Sequence, residues 1–396
     1  MANEKSDAVK EFEEQMAEEA KFNDIKKEAS RNKILLDRQR YAAELERQKQ
    51  DEQDLEIFKK ANFDIQSPDQ IEAIQKENRE YMDAAKKKLS FIIADEEENH
   101  MYAFDKFIPF FRKNLILIGA KTGDGKSTTV ANIAYHMMLQ KNKTTGEPAR
   151  TLVITNEERK EDVYNRITCL IKGWSYTNHD KFTDEQIIEF NKFIPHLSKR
   201  VTVIDNVHEG AHGVTTSLEG IEGIFENLLA NGVKYDCVVI DYYQNIIISK
   251  KNPKLVDYEV QAMLARSLDR YKNEYPAPIV LLAQVNAADD DGNPPFYWRI
   301  QGRKLIMTVC TFAAEMLVDK IHKVTRWHIW KSRFAESIGE TIETGFKDGR
   351  FIHYTEEFAR SIQANLDRRR SEQINREIGL KNGMVMNTNE REDSNE

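Results

Sequence analysis

The chain has 396 residues, of which 40% are hydrophobic and 31% charged, and its formal net charge is −8. The length allows two or three domains. The acidic balance excludes a protein that coats nucleic acid by bulk positive charge, so any such contact has to come from local basic loops. Three cysteines far apart in sequence, Cys169, Cys237 and Cys310, have no C-x-x-C spacing, which argues against a zinc module and for reduced thiols. The N-terminus lacks an apolar signal core and no run of 18 apolar residues occurs, so a cytoplasmic protein is expected, neither secreted nor membrane-spanning.

Residues 1–66 are rich in Lys, Arg, Glu and Gln, and no glycine precedes Gly119. Propensity favours helix here, but apolar positions are too sparse for a sustained coiled-coil seam. The segment reads either as a helical arm that docks a partner or as a solvated helix held by charge pairs worth only about 0.2–0.5 kcal/mol each. Residues 67–100 form a linker. Ser67-Pro68-Asp69-Gln70 is a helix start with Ser as N-cap and Pro at the first helical position. The helix that follows, expected over 69–90, carries Ile71, Ile74, Tyr81, Met82, Ala85 and Leu89 on roughly one face.

From residue 101 to about 360 the pattern becomes short apolar runs between helices: 114–118, 151–155, 201–204, 237–240, 279–283, 327–330 and 345–354. Runs of four or five suit parallel strands buried on both faces, so the fold class is α/β with an open, mostly parallel sheet and ligands at the strands' carboxyl ends. A last helix is expected beyond about Glu357, within a 361–396 segment whose final dozen residues are polar and expected to be disordered.

The chemistry begins where Leu115–Ile118 runs into Ala120-Lys121-Thr122-Gly123-Asp124-Gly125-Lys126-Ser127-Thr128. This is the phosphate-binding loop pattern with alanine for the first glycine, set between a strand and a helix. Gly123 and Gly125 let successive N–H groups point into one concavity at a helix N-terminus. Lys126 can reach the phosphates, and the Ser127 hydroxyl can ligate Mg²⁺. ATP and Mg²⁺ are the expected cofactors. The run Cys237–Ile240 ends in Asp241, a second magnesium ligand. Tyr242 follows it where many such motors place a glutamate, so the catalytic base has to come from elsewhere. Glu157, just past the 151–155 strand, is assigned that role, with Glu158 as its structural neighbour; the strand itself is expected beside the phosphate-loop strand.

Taken in order, these motifs resemble the RecA-type core of the DnaB-like replicative helicases, those of tailed bacteriophages in particular, over about residues 107–354. GAKTGDGKSTTVANIAYHM resembles that family's first nucleotide motif, LVITNEE its catalytic-glutamate strand and VVIDYYQNI its second nucleotide motif. YEVQAMLARSLDRYKNEYPAPIVLLAQVN is similar to the helix and strand ending in its sensor glutamine, here Gln284. WKSRF and GFKDGRFIHY resemble its terminal strands. The resemblance implies a RecA-like ATPase acting as a DNA helicase. It implies a homo-oligomer, a hexameric ring, on single-stranded DNA, with primase, a loader or other replisome proteins as partners. It also implies that Arg333, with Lys331 beside it, reaches the nucleotide of the neighbouring subunit.

The chain departs from the family in residues 1–66, where no helical collar domain is recognisable. The loop from Asn286 to Arg303 contains three consecutive aspartates at 289–291, an odd choice for gripping phosphates. The candidate DNA contacts are Arg299, Arg303 and Lys304 at its far end, with Lys250, Lys251 and Lys254 after Asp241. Each of these lysines reads equally well as a solubilising surface residue. Two other functions compete: a RecA-like recombinase acting as a filament, and an ATP-gated scaffold whose arm binds partners.

Overall fold

A strand whose six residues are all buried, Leu115–Ala120, needs apolar cover on both faces, and the chain folds to supply it. The computed structural model describes residues 68–91, 93–95, 100–101, 107–176, 182–206, 213–287, 294–300, 304–333 and 338–392. The arm at 1–66, Ser67, the three aspartates at 289–291 and Arg303 lie outside the described residues. In chain order the elements are α1 (Pro68–Lys86), β1 (Ile93–Asp95), β2 (His100–Met101), β3 (Leu115–Ala120), α2 (Lys126–Met138), β4 (Thr151–Thr155), α3 (Lys160–Lys172), α4 (Asp184–Leu197), β5 (Val201–Ile204), α5 (Leu218–Ala230) and β6 (Cys237–Asp241). They continue with α6 (Asp257–Glu274), β7 (Ile279–Gln284), α7 (Phe296–Arg299), α8 (Ile306–Val309), β8 (Phe312–Asp319), β9 (Val324–Ser332), β10 (Thr341–Lys347), β11 (Arg350–His353) and α9 (Glu356–Glu392).

The chain divides into two units, residues 1–77 and 78–396. Of the first, the described part is the opening of α1. Pro68 starts that helix as expected, but the helix ends at Lys86 instead of reaching residue 90. Leu89 then leaves the helical face and is buried with Phe91, Ile108 and Phe110. α9 runs from Glu356 to Glu392, so helix takes up most of the tail expected to lack structure. No described helix is long and apolar enough to cross a membrane.

In the second unit nine strands form one sheet in the order β11-β10-β9-β8-β3-β7-β6-β4-β5. Six of them, β8 to β5 across that order, are parallel, while β9, β10 and β11 are antiparallel. Side chains alternate across the sheet. Ile116 and Ile118 face a layer with Val130 and Ile133 of α2 and Ile167 of α3. Leu115 and Leu117 face Phe225 of α5 and Leu264 and Leu268 of α6.

Two expectations are corrected here. β4 does not neighbour the phosphate-loop strand β3: β7 and β6 stand between them, because β4 pairs with β6 from Thr151↔Cys237 to Thr155↔Asp241. The parallel strand β8 was not foreseen, because Glu315 interrupts its apolar run. That carboxylate is neutralised from outside the strand by Arg299, at 2.7 and 2.6 Å, so the strand is buried despite its charge.

β3 also dictates one glycine. A Cβ on Gly119 would sit 2.6 Å from Phe296 Cζ and 2.7 Å from Val285 Cγ2, closer than real Cβ contacts come. Gly119→Ala should therefore destabilise the protein by roughly 1–3 kcal/mol, read as a lowered urea midpoint with unchanged slope. A midpoint equal to the parent's would show that the Phe296 turn moves aside freely.

Candidate nucleotide site

The loop 121–125 turns on two glycines in the left-handed region, Gly123 at φ 80° and Gly125 at φ 87°, where a side chain would be strained. Gly125 is the N-cap of α2, so the helix begins at Lys126 with its free N–H groups facing the loop. The Thr129 hydroxyl donates back to the Gly125 carbonyl at 3.0 Å. Asn132 fixes the same helix to the β10–β11 hairpin, donating to the Gly349 carbonyl at 2.8 Å and accepting from the Phe351 amide at 3.1 Å. Lys126 is buried but for 8% of its surface, and its ammonium lies 5.7 Å from the Tyr242 ring centre.

Parallel register brings the carboxylates to the same edge. Asp241 ends β6 opposite Thr155, which places Glu157 and Glu158 beside it. The two strand ends are stitched together by Asn156, whose amide donates to the Asp241 carbonyl at 2.9 Å while its side chain donates to the Tyr242 carbonyl at 2.8 Å and accepts from the Tyr242 amide at 3.2 Å. Glu158 is held in a fork by Arg166, with contacts of 2.7 and 3.1 Å. Among the described residues, the exposed Glu157 carboxylate has no hydrogen-bond partner. The Glu157 carboxylate is therefore open to solvent, while Glu158 is committed to Arg166.

Asp241 is 2% exposed and its Oδ1 has no hydrogen-bond partner. Burial, followed by the charges of Glu158 and Glu157, pushes its pKa up to about 7, against the smaller opposing pull of Lys126 and Arg166. A buried, orphaned carboxylate among other carboxylates fits a divalent cation. Among the described residues no three His, Cys, Asp or Glu side chains converge as a self-contained metal site. Ser127 and Asp241 would thus hold Mg²⁺ jointly with phosphates and water, the usual arrangement for that ion.

Next to the phosphate loop lies a cavity of about 660 Å³, walled by Thr128, Leu170, Trp174, Tyr176, Val318, Phe346 and Phe351. Its apolar walls and its opening onto Gly123 and Gly125 suit the nucleoside part of a nucleotide. Sequence reasoning missed this lining, because its residues come from four separate segments. It also missed Asn156, whose position directly after a strand was the available signal, and Lys320, which lies 3.7 Å from Asp124.

Gln284 pairs in register with Ala120, the residue where the phosphate loop begins. Its carbonyl accepts from the Gln244 side chain at 2.9 Å, and the Gln244 carbonyl accepts in turn from Gln261 of α6 at 3.0 Å. Lys331 and Arg333 are not brought to this edge. Ser332 lies opposite Phe312, which lies opposite Ile116, four residues before Ala120; that is about 13 Å of strand. Both side chains bond the Thr308 carbonyl, at 3.1 and 3.4 Å, at the amino ends of the parallel strands.

The candidate DNA contacts fare unequally. Arg299 is corrected: it is 4% exposed, forked onto Glu315, and bonded to the Pro294 and Asn286 carbonyls, so no guanidinium edge is free for a phosphate. The Lys304 ammonium sits 3.3 Å over the Trp298 ring. Lys250, Lys251 and Lys254 are exposed. Glu219 anchors the backbone of their loop by accepting from Ser249 Oγ and from the Lys250 and Lys251 amides at 2.6, 2.8 and 3.0 Å. Burial opposes ionisation of Glu219, yet those hydrogen bonds outweigh it and hold its pKa at about 2.

Residues 98–293 match the family described as DnaB-like helicase C terminal domain. The fold is similar to that of a solved ATPase domain, with TM-score 0.54 and 14% identity over 72% of this chain and 99% of that one. It is also similar to "The Structure Of A DnaB-Like Replicative Helicase And Its Interactions With Primase", with TM-score 0.54 and 14% identity over 77% of this chain and 71% of that one. At that identity the two likenesses concern the fold alone. No curated protein has a matching sequence.

The Asp241 environment has a consequence for stability. Its folded pKa, about 7, lies above the ordinary value of 3.8. The folded protein therefore binds the extra proton between those values, and stability falls as pH rises through that window. Asp241→Asn removes the penalty. At pH 8 the nucleotide-free variant should be more stable than the parent by at most about 4 kcal/mol, with the gain vanishing near pH 4. Thermal melts at both pH values check this, and a variant less stable at pH 8 would contradict it.

Proposed function

We propose that this chain, whose residues 98–293 match the DnaB-like helicase C terminal domain, is a replicative motor that hydrolyses ATP. Its subunits assemble as a ring, hexameric in the expected form, and move along single-stranded DNA on Mg²⁺-ATP. The observation that carries this reading is the division of catalytic groups between opposite ends of one sheet. Lys126, Ser127, Glu157, Asp241 and Gln284 gather at the carboxyl edge, whereas Lys331 and Arg333 sit near the amino edge. A pair so far from its own phosphate loop can meet a nucleotide only if a second chain presents one.

In such a shared site each residue has a physical task. The amides of the phosphate loop and the Lys126 ammonium bind and orient the phosphates. Ser127 and Asp241 hold the Mg²⁺, which offsets the charge on the transferring phosphoryl group. Glu157 orients the attacking water and accepts its proton. Gln284 follows the phosphate end of the nucleotide and passes the change to the loop that starts at Val285. Arg333 of the neighbouring chain stabilises the transition-state charge, an effect worth roughly 10³–10⁵ in rate.

Primase, a loader and other replisome proteins are the partners this reading assigns. A helicase of similar fold is described with its interactions with primase. The exposed Ile71, Ile74 and Met82 of α1 are the proposed contact with the neighbouring subunit. Removing residues 1–95 should then lower the oligomeric state measured by light scattering, while removing 1–60 should not; an intact ring after the longer deletion would refute that contact.

The central test is turnover with and without single-stranded DNA, run beside sizing. Lys126→Ala should abolish nucleotide binding or turnover, and Glu157→Gln should bind but not hydrolyse. Arg333→Ala should bind ATP nearly normally and turn it over at least roughly 100-fold more slowly, since the lost contact belongs to the transition state. Mixing Arg333→Ala with Glu157→Gln should restore part of the activity, because some sites then draw Glu157 from an Arg333→Ala chain and Arg333 from a neighbouring Glu157→Gln chain. No recovery in rings shown to exchange subunits, or full activity in isolated monomers, would overturn the shared site. Turnover indifferent to DNA would favour the scaffold.

A further inference from the structure

The four residues of α7, Phe296-Tyr297-Trp298-Arg299, face two ways. Phe296 and Arg299 point inward. Phe296 is fully buried and stacks on Trp330 of β9, with ring centres 5.9 Å apart and planes 12° from parallel. Arg299 is forked onto Glu315 of β8, and Trp330 Nε1 donates to the same carboxylate at 3.2 Å. The base of the excursion is closed by the bridge Val285↔Ile300 and by the Asn286 amide donating to the Arg299 carbonyl at 2.9 Å. A single helical turn, otherwise too short to hold its shape, is thus clamped by a buried ring and a buried ion pair.

Tyr297 and Trp298 are what that clamp presents outward. They are 43% and 55% exposed, and their ring centres lie 5.4 Å apart. Two large adjacent aromatics in water carry a hydrophobic cost, and among the described residues only Lys304 is seen against them. Lys304 holds its ammonium 3.3 Å over one face of the Trp298 ring, which places positive charge against the platform. The turn lies on the segment that leaves β7 just after Gln284, and the exposed Lys250 and Lys251 lie on the segment that leaves the adjacent strand β6 at the same edge of the sheet. Aromatic faces bordered by lysines match the bases and phosphates of an unpaired nucleic-acid strand.

Resting on the motor reading above, we propose that Tyr297 and Trp298 form a stacking platform for the bases of the single strand, so that this chain grips bases as well as phosphates. Phe296 and Arg299 are positioning residues that keep the platform rigid. Their attachment to β8 and β9 ties it to the strand that carries Lys331.

The test uses the full chain with a non-hydrolysable ATP analogue, a labelled oligo-dT of about 20 nucleotides and an abasic strand of equal length, followed by fluorescence anisotropy. Trp298→Ala should weaken oligo-dT binding roughly 5- to 150-fold, the range for losing one stacked base, with the abasic affinity unchanged. Trp298→Phe should recover most of the loss. The salt dependence of Trp298→Ala should keep the parent's slope, because no phosphate contact is removed, whereas Lys304→Gln should lower the slope. Parent-like affinity in Trp298→Ala, an equal loss on the abasic strand, or a smaller assembly by light scattering would each overturn the platform; the last would assign these rings to a contact between copies. A parent protein that binds neither strand would overturn the platform and the motor reading together. A parent that binds oligo-dT with variants that bind equally well removes the platform alone.

Discussion

One carboxylate governs the candidate site. Asp241 is buried at the end of β6 with an unpaired oxygen, and two further carboxylates crowd it. In a medium of low effective dielectric an isolated charge is costly, so the group either keeps a proton or takes a cation. The protein supplies only partial compensation, Lys126 across the site and Arg166 beyond Glu158. Asn156 keeps the backbones of β4 and β6 from relaxing apart. The strain of this arrangement is electrostatic, and a bound divalent cation would relieve it.

A second buried charge does different work. Arg299 and Glu315 are both nearly inaccessible and fully hydrogen-bonded. Replacing one alone would leave the other uncompensated, a loss of roughly 3–5 kcal/mol for buried pairs. The pair joins the segment after β7 to the middle of β8, and Trp330 extends the connection to β9. Two elements whose proposed functional residues lie at opposite ends of the sheet therefore share one rigid link. Movement of Gln284 or its loop has a mechanical path towards the strand bearing Lys331.

In the proposed shared site, the sheet register leaves a single chain without all of its catalytic groups. Parallel strands place their carboxyl ends, and hence the phosphate loop and the carboxylates, on one edge. The antiparallel return of β9 delivers Lys331 and Arg333 to the other edge. No side-chain rotation spans the intervening strand. In the proposed ring this separation becomes useful, because the amino edge of one subunit can meet the carboxyl edge of the next.

The sequence alone determined the elements whose signals are local. The phosphate loop with its strand and helix, and Asp241 at the end of four apolar residues, follow from spacing and residue type over short stretches of neighbouring positions. The alternation of short apolar runs and helices likewise settled the α/β class. What only the tertiary structure decided involves partners distant in sequence. Arg299 looked like a phosphate contact because its charge is visible in the sequence, whereas the Glu315 that faces it is not. β8 went unread for the same reason, since the charge that breaks its pattern is cancelled by a residue on another element. The place of β4, separated from the phosphate-loop strand by β7 and β6, depends on crossovers that periodicity does not encode. Local chemistry is written in neighbouring residues, whereas burial of a charge is a property of the space into which the whole chain folds it.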